Sequence, residues 1–358
     1  TSGALIAQGL CLPLHMGSLP DGLAAVLNRY ADEISEGDVF ILNDPYEGGT
    51  HLPDIYAYSP IFIEGDLLGF AAAIAHHTDI GGRVAGGNAC DSTEIYQEGL
   101  RIPPVRLYEA GKPVQAIFDI IERNVRVPQY ALGDLRAQLS ACYIAQREVE
   151  ALSERYSVAG LREGFSALLD YGERLTRAEI EKMPDGVYSF EDQIDGDGID
   201  PGPIPMHVAI TVDGSQLTAD FKGTAPQVRG AINSALSFTK SAVYACVRCL
   251  ISPDVPTNTG FFRCIDVLAP EASLVNPVLP APVAARGLTG FRLANVIMGA
   301  LAGLAPDRIP ACEVGGTRAS VWVGIARTDR LSFFWSFCFR DGVADRIVME
   351  LMDVRVLW

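Results

Sequence analysis

The feature that most constrains this chain is a run of helical patterns set between two stretches that read as strands. From Gln115 onward three segments with apolar residues at helical spacing follow one another: "AIFDIIERNV", "YALGDLRAQLSACYIAQREVEALSERY" and "LREGFSALLDYGERL". Before them, "DVFILND", "IYAYSPIFI" and "LLGFAAAIAHH" (residues 38–77) read as strands, the last as a buried strand carrying histidines at its carboxyl end. After the break at "KMPDG" (residues 182–186), strand patterns return in "VYSFEDQI" and "MHVAITVDGSQLTADF", the latter folded back at "DGS". A short helix is expected at "DGLAAVLNRYADEI" (residues 21–34), and two more at "AINSALSFTKSAVYACVRCLI" and "RLANVIMGALAGLA". The pattern predicts an α/β fold of mixed sheets with packed helical layers. It has a large site-bearing amino-terminal part, residues 1–184, and a β-rich second part of the same domain, residues 185–358.

Hydrophobic residues make up 49% of the 358, enough to bury a large core. A formal net charge of -16, with no basic block, argues against nucleic acid or an anionic membrane surface as a partner. No apolar run approaches the roughly 20 residues of a spanning helix, so a cytoplasmic protein is expected. The eight cysteines are irregularly spaced in apolar contexts, which predicts mostly reduced, buried thiols. The opening "TSGALIAQG" lacks an initiator Met and reads as a hairpin turn leading into a strand. The last fifty residues pass between fragments, as in residues 333–358, with little turn chemistry. The sequence is therefore expected to be part of a longer chain, with loops absent near its carboxyl end.

Only five histidines occur, and four of them (His15, His51, His76, His77) lie in the first 77 residues. Two glycine-rich segments hold three of these among acids: "NDPYEGGTHLPD" (residues 43–54) and "AHHTDIGG" (residues 75–82). His51 and Asp54 stand three apart across Pro53, so both can converge on one ion, and a strand-end histidine supplies a third ligand. Nitrogen and carboxylate donors without thiolate suit Zn or Mn, with Fe a third choice. His76 and His77 are adjacent on an extended strand and point to opposite faces, so one of them at most is a ligand. The competing reading is that these groups cap and brace loops, with the histidines satisfied inside the core.

Other motifs are weaker. Cys246 and Cys249 form a CxxC inside an apolar helical pattern with no second pair, which favours core packing. "DGDGIDPG" (residues 195–202) is dense in acids but lacks the terminal Glu of a calcium loop, and reads as a solvated turn. "GGRVAGG" (residues 81–87) matches no phosphate-binding signature and reads as a mobile glycine loop beside the site. The chain carries no nucleotide-binding motif.

Together, "GDVFILNDPYEGGTHLPDIY", "AHHTDIGG", "EIYQEGLRIPP", "NVRVP", "GDLRAQLSA", "DFKGTAPQVRGAIN" and "PVAARGLTGFRLANVIMGAL" resemble the hydantoinase B family from the first residues to about Ala311. The resemblance implies a division of labour. A hydantoinase A-type ATPase subunit binds ATP and phosphorylates the carbonyl oxygen of a lactam or an enolised ketone, and the B-type subunit hosts the chemistry of the activated species in a hetero-oligomer. It also implies His51, Asp54 and His76 as ligands of a divalent metal, with a further acidic ligand upstream of Thr1. His77, Asp79 and Glu98 are then candidates for orienting groups or proton shuttles, and Arg101 and Arg126 for an oxyanion clamp. His15 falls near the site without a role. The expected function is the B-type subunit of an ATP-dependent cyclic amide hydrolase acting on hydantoin, oxoproline or another lactam. The alternatives are a ketone carboxylase subunit and a non-catalytic assembly subunit.

Overall fold

The computed structural model describes residues 2–9 and 15–309, with the backbone of 318–320 and 336–338. Residues Thr1–Gly315 form one compact unit and Gly316–Trp358 a second.

The first sheet is antiparallel and has five strands: β1 (Val39–Leu42), β2 (Asp54–Ile63), β3 (Asp66–His76), β4 (Val105–Glu109) and β5 (Lys112–Pro113), ordered β3-β2-β1-β4-β5. β2 is buried along nearly its whole length because both faces are covered. Alternation divides its residues: Tyr56 and Tyr58 join Phe40 and Leu42 of β1 under the helix α1 (Leu19–Tyr30). Ile55 and Ala57 point the other way, toward α2 (Gln115–Asn124) and α3 (Pro128–Ile180). β3 was expected to be buried but is the sheet edge, half exposed, with Ala72 open to solvent.

The second and third helical patterns are joined in α3, a helix of 53 residues broken at Ser157 (φ 60°, ψ 161°). The break falls where the two apolar patterns meet. The Ser157 hydroxyl accepts the amide of Gly160 at 3.2 Å and starts the second half.

The second sheet, ordered β6-β7-β8-β9, comprises β6 (Gly186–Gly196), β7 (Pro201–Asp213), β8 (Gln216–Asp220) and β9 (Ile265–Leu268). β8 and β9 run parallel; the other pairs are antiparallel. Met206, Val208, Ile210 and Val212 alternate inward on β7 and meet α4 (Leu236–Arg248) and α6 (Arg286–Leu304) in the largest core. The short helix α5 (Thr259–Phe262) lies between α4 and β9. α6, with 19 residues, is long and apolar enough to cross a membrane, against the expectation that no run comes close. Its inward residues Leu293, Val296, Ile297 and Leu301 belong to the core, so it is the core helix of this unit.

The expected strand at the amino end is absent. Residues 2–9 carry no regular structure, and Leu5 is held by the amide and hydroxyl of Thr259. In the second unit β10 (Arg318–Ser320) pairs antiparallel with β11 (Ser336–Cys338). Most of residues 333–358 lie outside the described residues.

Candidate metal centre

The site is built where β2 begins and β3 ends. Asp54 and His76 are directly opposed in the β2–β3 register, so alternation places both on the α1 side. The segment leading into β2 is fixed by buried groups. Asn43 donates to the carbonyls of Leu52 (2.7 Å) and Leu100 (2.9 Å) and accepts the amide of Ile102 (2.6 Å). Gly48, at φ 96°, lies so close to α1 that a Cβ would meet the Asp21 carbonyl at 2.6 Å. This turn delivers Thr50 and His51 into the interior.

Asp54 is fully buried and is the centre of the cluster. Its Oδ2 accepts from Thr50 and from Arg286 Nη2 (2.7 Å), and lies 2.5 Å from His51 Nδ1. Its Oδ1 lies 3.1 Å from His76 Nδ1 and 3.7 Å from His15 Nε2. His51 and His76 stack with centroids 5.0 Å apart. Donor atoms of His51, Asp54 and His76 all lie within 4.8 Å of one another. His51 Nδ1 and the Asp54 carboxylate are in direct contact, so each influences the other's protonation.

The electrostatics suit ligands. Burial, then the nearby Arg286, pushes the His51 pKa down to about 3, so its imidazole is neutral. Burial likewise lowers that of His15. Burial works against an ionised Asp54, but contact with His51 and the Arg286 guanidinium outweighs it and holds its pKa well below the carboxylate range. Arg286 is the permanent counter-ion. It is buried, lies 4.5 Å over the Phe238 ring and leaves Nε unpartnered.

Arg286 was missed from sequence. The Arg that opens the apolar run "RGLTGFRLANVIMGALAGL" was the available signal, since a buried cation requires a buried anion.

The other expected residues sit elsewhere. His77 emerges on the α3 side of the sheet, where its Nε2 pairs with Gln138 at 2.9 Å and its amide donates to the Pro53 carbonyl. Gln138 in turn donates to the carbonyls of Ile55 and Ala73, so His77 anchors the strand ends to α3. Asp79 accepts the amides of Gly81, Gly86 and Arg126 and the Arg126 side chain at 3.0 Å. Arg126 also donates to the carbonyls of Gly82 and Val84, so the glycine loop expected to be mobile is tied at both sides. Arg101 pairs with Asp44 at 2.6 Å. Glu98, also buried, accepts the amides of Val283 and Ala284 just before α6, and burial pushes its pKa up to about 8. These five therefore fasten the frame around the cluster.

Cys246 is buried, its thiol pKa pushed up to about 12, while Cys249 is exposed. Asp197 of the acidic turn is buried and accepts the amides of Ile199, Asp200 and Gly230, so it is an anchored turn, less solvated than expected.

A histidine and carboxylate cluster at one end of an antiparallel sheet, backed by a buried arginine, defines a class of metal-centre candidates on an α/β frame. Residues 1–342 match the hydantoinase B/oxoprolinase family, and the chain belongs to it. It is 35% identical to caprolactamase subunit beta of Pseudomonas jessenii, covering 86% of this chain and 53% of that one. It is 30% identical to 5-oxoprolinase of Saccharomyces cerevisiae over 83% of this chain and 24% of that one. The crystal structure of the ATP-dependent caprolactamase from Pseudomonas jessenii superposes with a TM-score of 0.81 at 35% identity, over 85% of this chain and 53% of that one. Nucleotide-free acetone carboxylase gives 0.79 at 18% identity, over 87% and 44%, a likeness of fold. The chain thus spans about half the length of caprolactamase subunit beta and a quarter of the oxoprolinase.

Proposed function

We propose that this chain is the B-type part of an ATP-dependent cyclic amide hydrolase. It acts in the cytoplasm with an A-type ATPase partner that phosphorylates the substrate, and holds Zn or Mn, with Fe the third choice, on His51, Asp54 and His76. The observation that carries the reading is the convergence of two imidazoles, His51 and His76, on the fully buried Asp54 carboxylate, with one donor atom of each of the three within 4.8 Å of the others. The names of the relatives, a caprolactamase beta subunit and 5-oxoprolinases, support the amide chemistry and a partner subunit.

Charge balance supports it further. The Asp54 carboxylate and the Arg286 guanidinium cancel, and His15 and His51 are neutral. A divalent cation therefore leaves surplus positive charge in a buried site, which an anionic substrate group neutralises. A phosphorylated amide brings such a group. A bound cation supplies polarisation of a carbonyl oxygen and lowers the pKa of a water toward neutral. Arg286 keeps Asp54 ionised, Thr50 fixes its rotamer by donating to Oδ2, and Gln138 with His77 holds the strand ends in register. His76, half exposed, marks the side from which substrate enters.

The test is metal analysis and amide-dependent ATP hydrolysis of the complex with its ATPase partner, beside His51→Ala. One bound divalent ion in the wild type, with loss of both metal and turnover in the variant, is expected. Unchanged metal content and rate would sink the assignment, and bicarbonate-dependent consumption of a ketone would replace the hydrolase with a carboxylase.

A further inference from the structure

Beside the polar cluster lies a groove of about 280 Å³. Its floor is the exposed face of β3, where Phe70, Ala72 and Ile74 alternate toward the same side as His76. Leu5 and Leu19 form its flanks, and His15 stands in its lining. The floor continues into the site: Ile74 opposes Tyr56 and His76 opposes Asp54, and His15 Nε2 is 3.7 Å from Asp54 Oδ1. At about 3.3 Å of rise per residue, His76 is about 7 Å beyond Ile74. That is the reach of a small ring whose carbonyl end meets the cluster.

The lining chemistry selects among cyclic amides. Gln8 and His15 are its polar side chains, and no carboxylate, Lys or Arg lines it among the described residues. An ionised carboxylate on the ring would lose water there without gaining a cationic partner, whereas methylene groups gain from burial. The volume is just under the roughly 300 to 1,000 Å³ of pockets for drug-sized ligands, so the occupant is small.

Resting on the hydrolase reading above, we propose that this groove is the ring subsite, and that it favours uncharged, methylene-rich lactams over cyclic amides bearing an acid. The proposal identifies Ala72, Phe70 and Ile74 as specificity-determining residues.

The experiment uses the complex with the ATPase partner in wild type, Ala72→Phe, Ala72→Leu and His51→Ala forms. Affinity for ε-caprolactam and for 5-oxoproline is measured without ATP by ligand-observed NMR titration, and KM and kcat are taken from amide-dependent ATP hydrolysis. Ala72 is exposed, so both larger side chains are accommodated without disturbing the core. We expect ε-caprolactam to bind the wild type at least about tenfold more tightly than 5-oxoproline. Ala72→Phe should weaken it about tenfold or more and Ala72→Leu by less, with KM rising, kcat nearly constant and metal content unchanged. No binding of ε-caprolactam, equal affinity for the two amides, or variant affinities within about twofold of wild type would each overturn the groove. The two readings fail separately. If no amide supports ATP hydrolysis, the hydrolase reading falls while NMR binding still judges the groove. Turnover abolished by His51→Ala but untouched by either Ala72 variant leaves the hydrolase and removes the subsite.

Discussion

Glu98→Gln probes how the frame is joined to the site. Glu98 is 2% exposed, and its carboxyl oxygens accept the amides of Val283 at 2.9 and 3.1 Å and of Ala284 at 2.9 Å. These two residues lie three and two positions before Arg286, the first residue of α6. Burial raises the Glu98 pKa from 4.5 to about 8, the two backbone donors and Arg286 opposing it only in part. Because the folded-state value is the higher one, the folded protein prefers the protonated form. The stabilisation from this group is complete below about pH 4.5 and is lost as the pH rises through about 8. At about 1.4 kcal/mol for each pH unit, the full effect is roughly 5 kcal/mol, of which about 3 kcal/mol falls between pH 5.5 and 8.5. A glutamine oxygen still accepts both amides and has no charge to lose. Urea unfolding of both proteins at several pH values gives the difference in stability, in which every other titrating group cancels. The variant should gain on the wild type steadily as pH rises. A difference that stays flat, within about 0.5 kcal/mol, would mean that Glu98 is ionised in the folded protein without penalty, and the reasoning would be wrong.

Other perturbations follow from the same geometry. Arg286→Met strands the Asp54 charge; breaking a buried pair on one side costs about 3 to 5 kcal/mol, readable by urea unfolding in chelator-treated protein. Added Zn or Mn should recover part of that loss, and recovery equal to zero would separate Asp54 from any metal role. Ser157→Gly should stabilise by about 1 kcal/mol, since glycine relieves a φ of 60° worth about 1 to 3 kcal/mol and gives up only a few tenths as a cap. Ser157→Ala keeps the strain and loses the hydroxyl that holds Gly160, so its melting temperature should fall.

The candidate trio was legible only in part: spacing offered His51 and Asp54, β-strand alternation allowed one of His76 and His77, and the family resemblance chose His76. Once "LLGFAAAIAHH" is a strand, one of His76 and His77 must face the same side as Asp54 and the other must not. Register decides which, and register is a long-range fact: Asp54 opposes His76. Alternation also foretold the inward face of β7, and two apolar patterns foretold the halves of α3, although not that a single serine would join them. The roles of Asp79, Glu98, Arg101 and Arg126 were beyond reach for a different reason. An acid in a loop looks the same whether it meets a substrate or a backbone amide, and each of these four has a partner between 47 and 186 positions away. β3 read as buried because alanine is compatible with both environments, and nothing local marks a sheet edge.

Arg286 shows why the site cannot belong to the first sheet alone. The carboxylate at the centre of the cluster comes from β2, but the charge that keeps it ionised comes from the first residue of α6, more than 230 positions later. Three further contacts hold that helix and its neighbour against the ligand loop. Glu98 grips the amides before α6, Ser237 at the start of α4 donates to the Gly49 carbonyl, and Tyr46 donates to the Ala281 carbonyl. Each has a partner two to five residues from His51 or Arg286. Cutting the chain at the turn near residue 184 would therefore leave Asp54 buried beside neutral imidazoles with no counter-ion. Such a carboxylate takes up a proton, which a metal ion would have to displace, so its affinity as a ligand falls. The charge of the site is thus set by the docking of the second sheet's helices, and ligand competence at His51, Asp54 and His76 is a property of the whole unit.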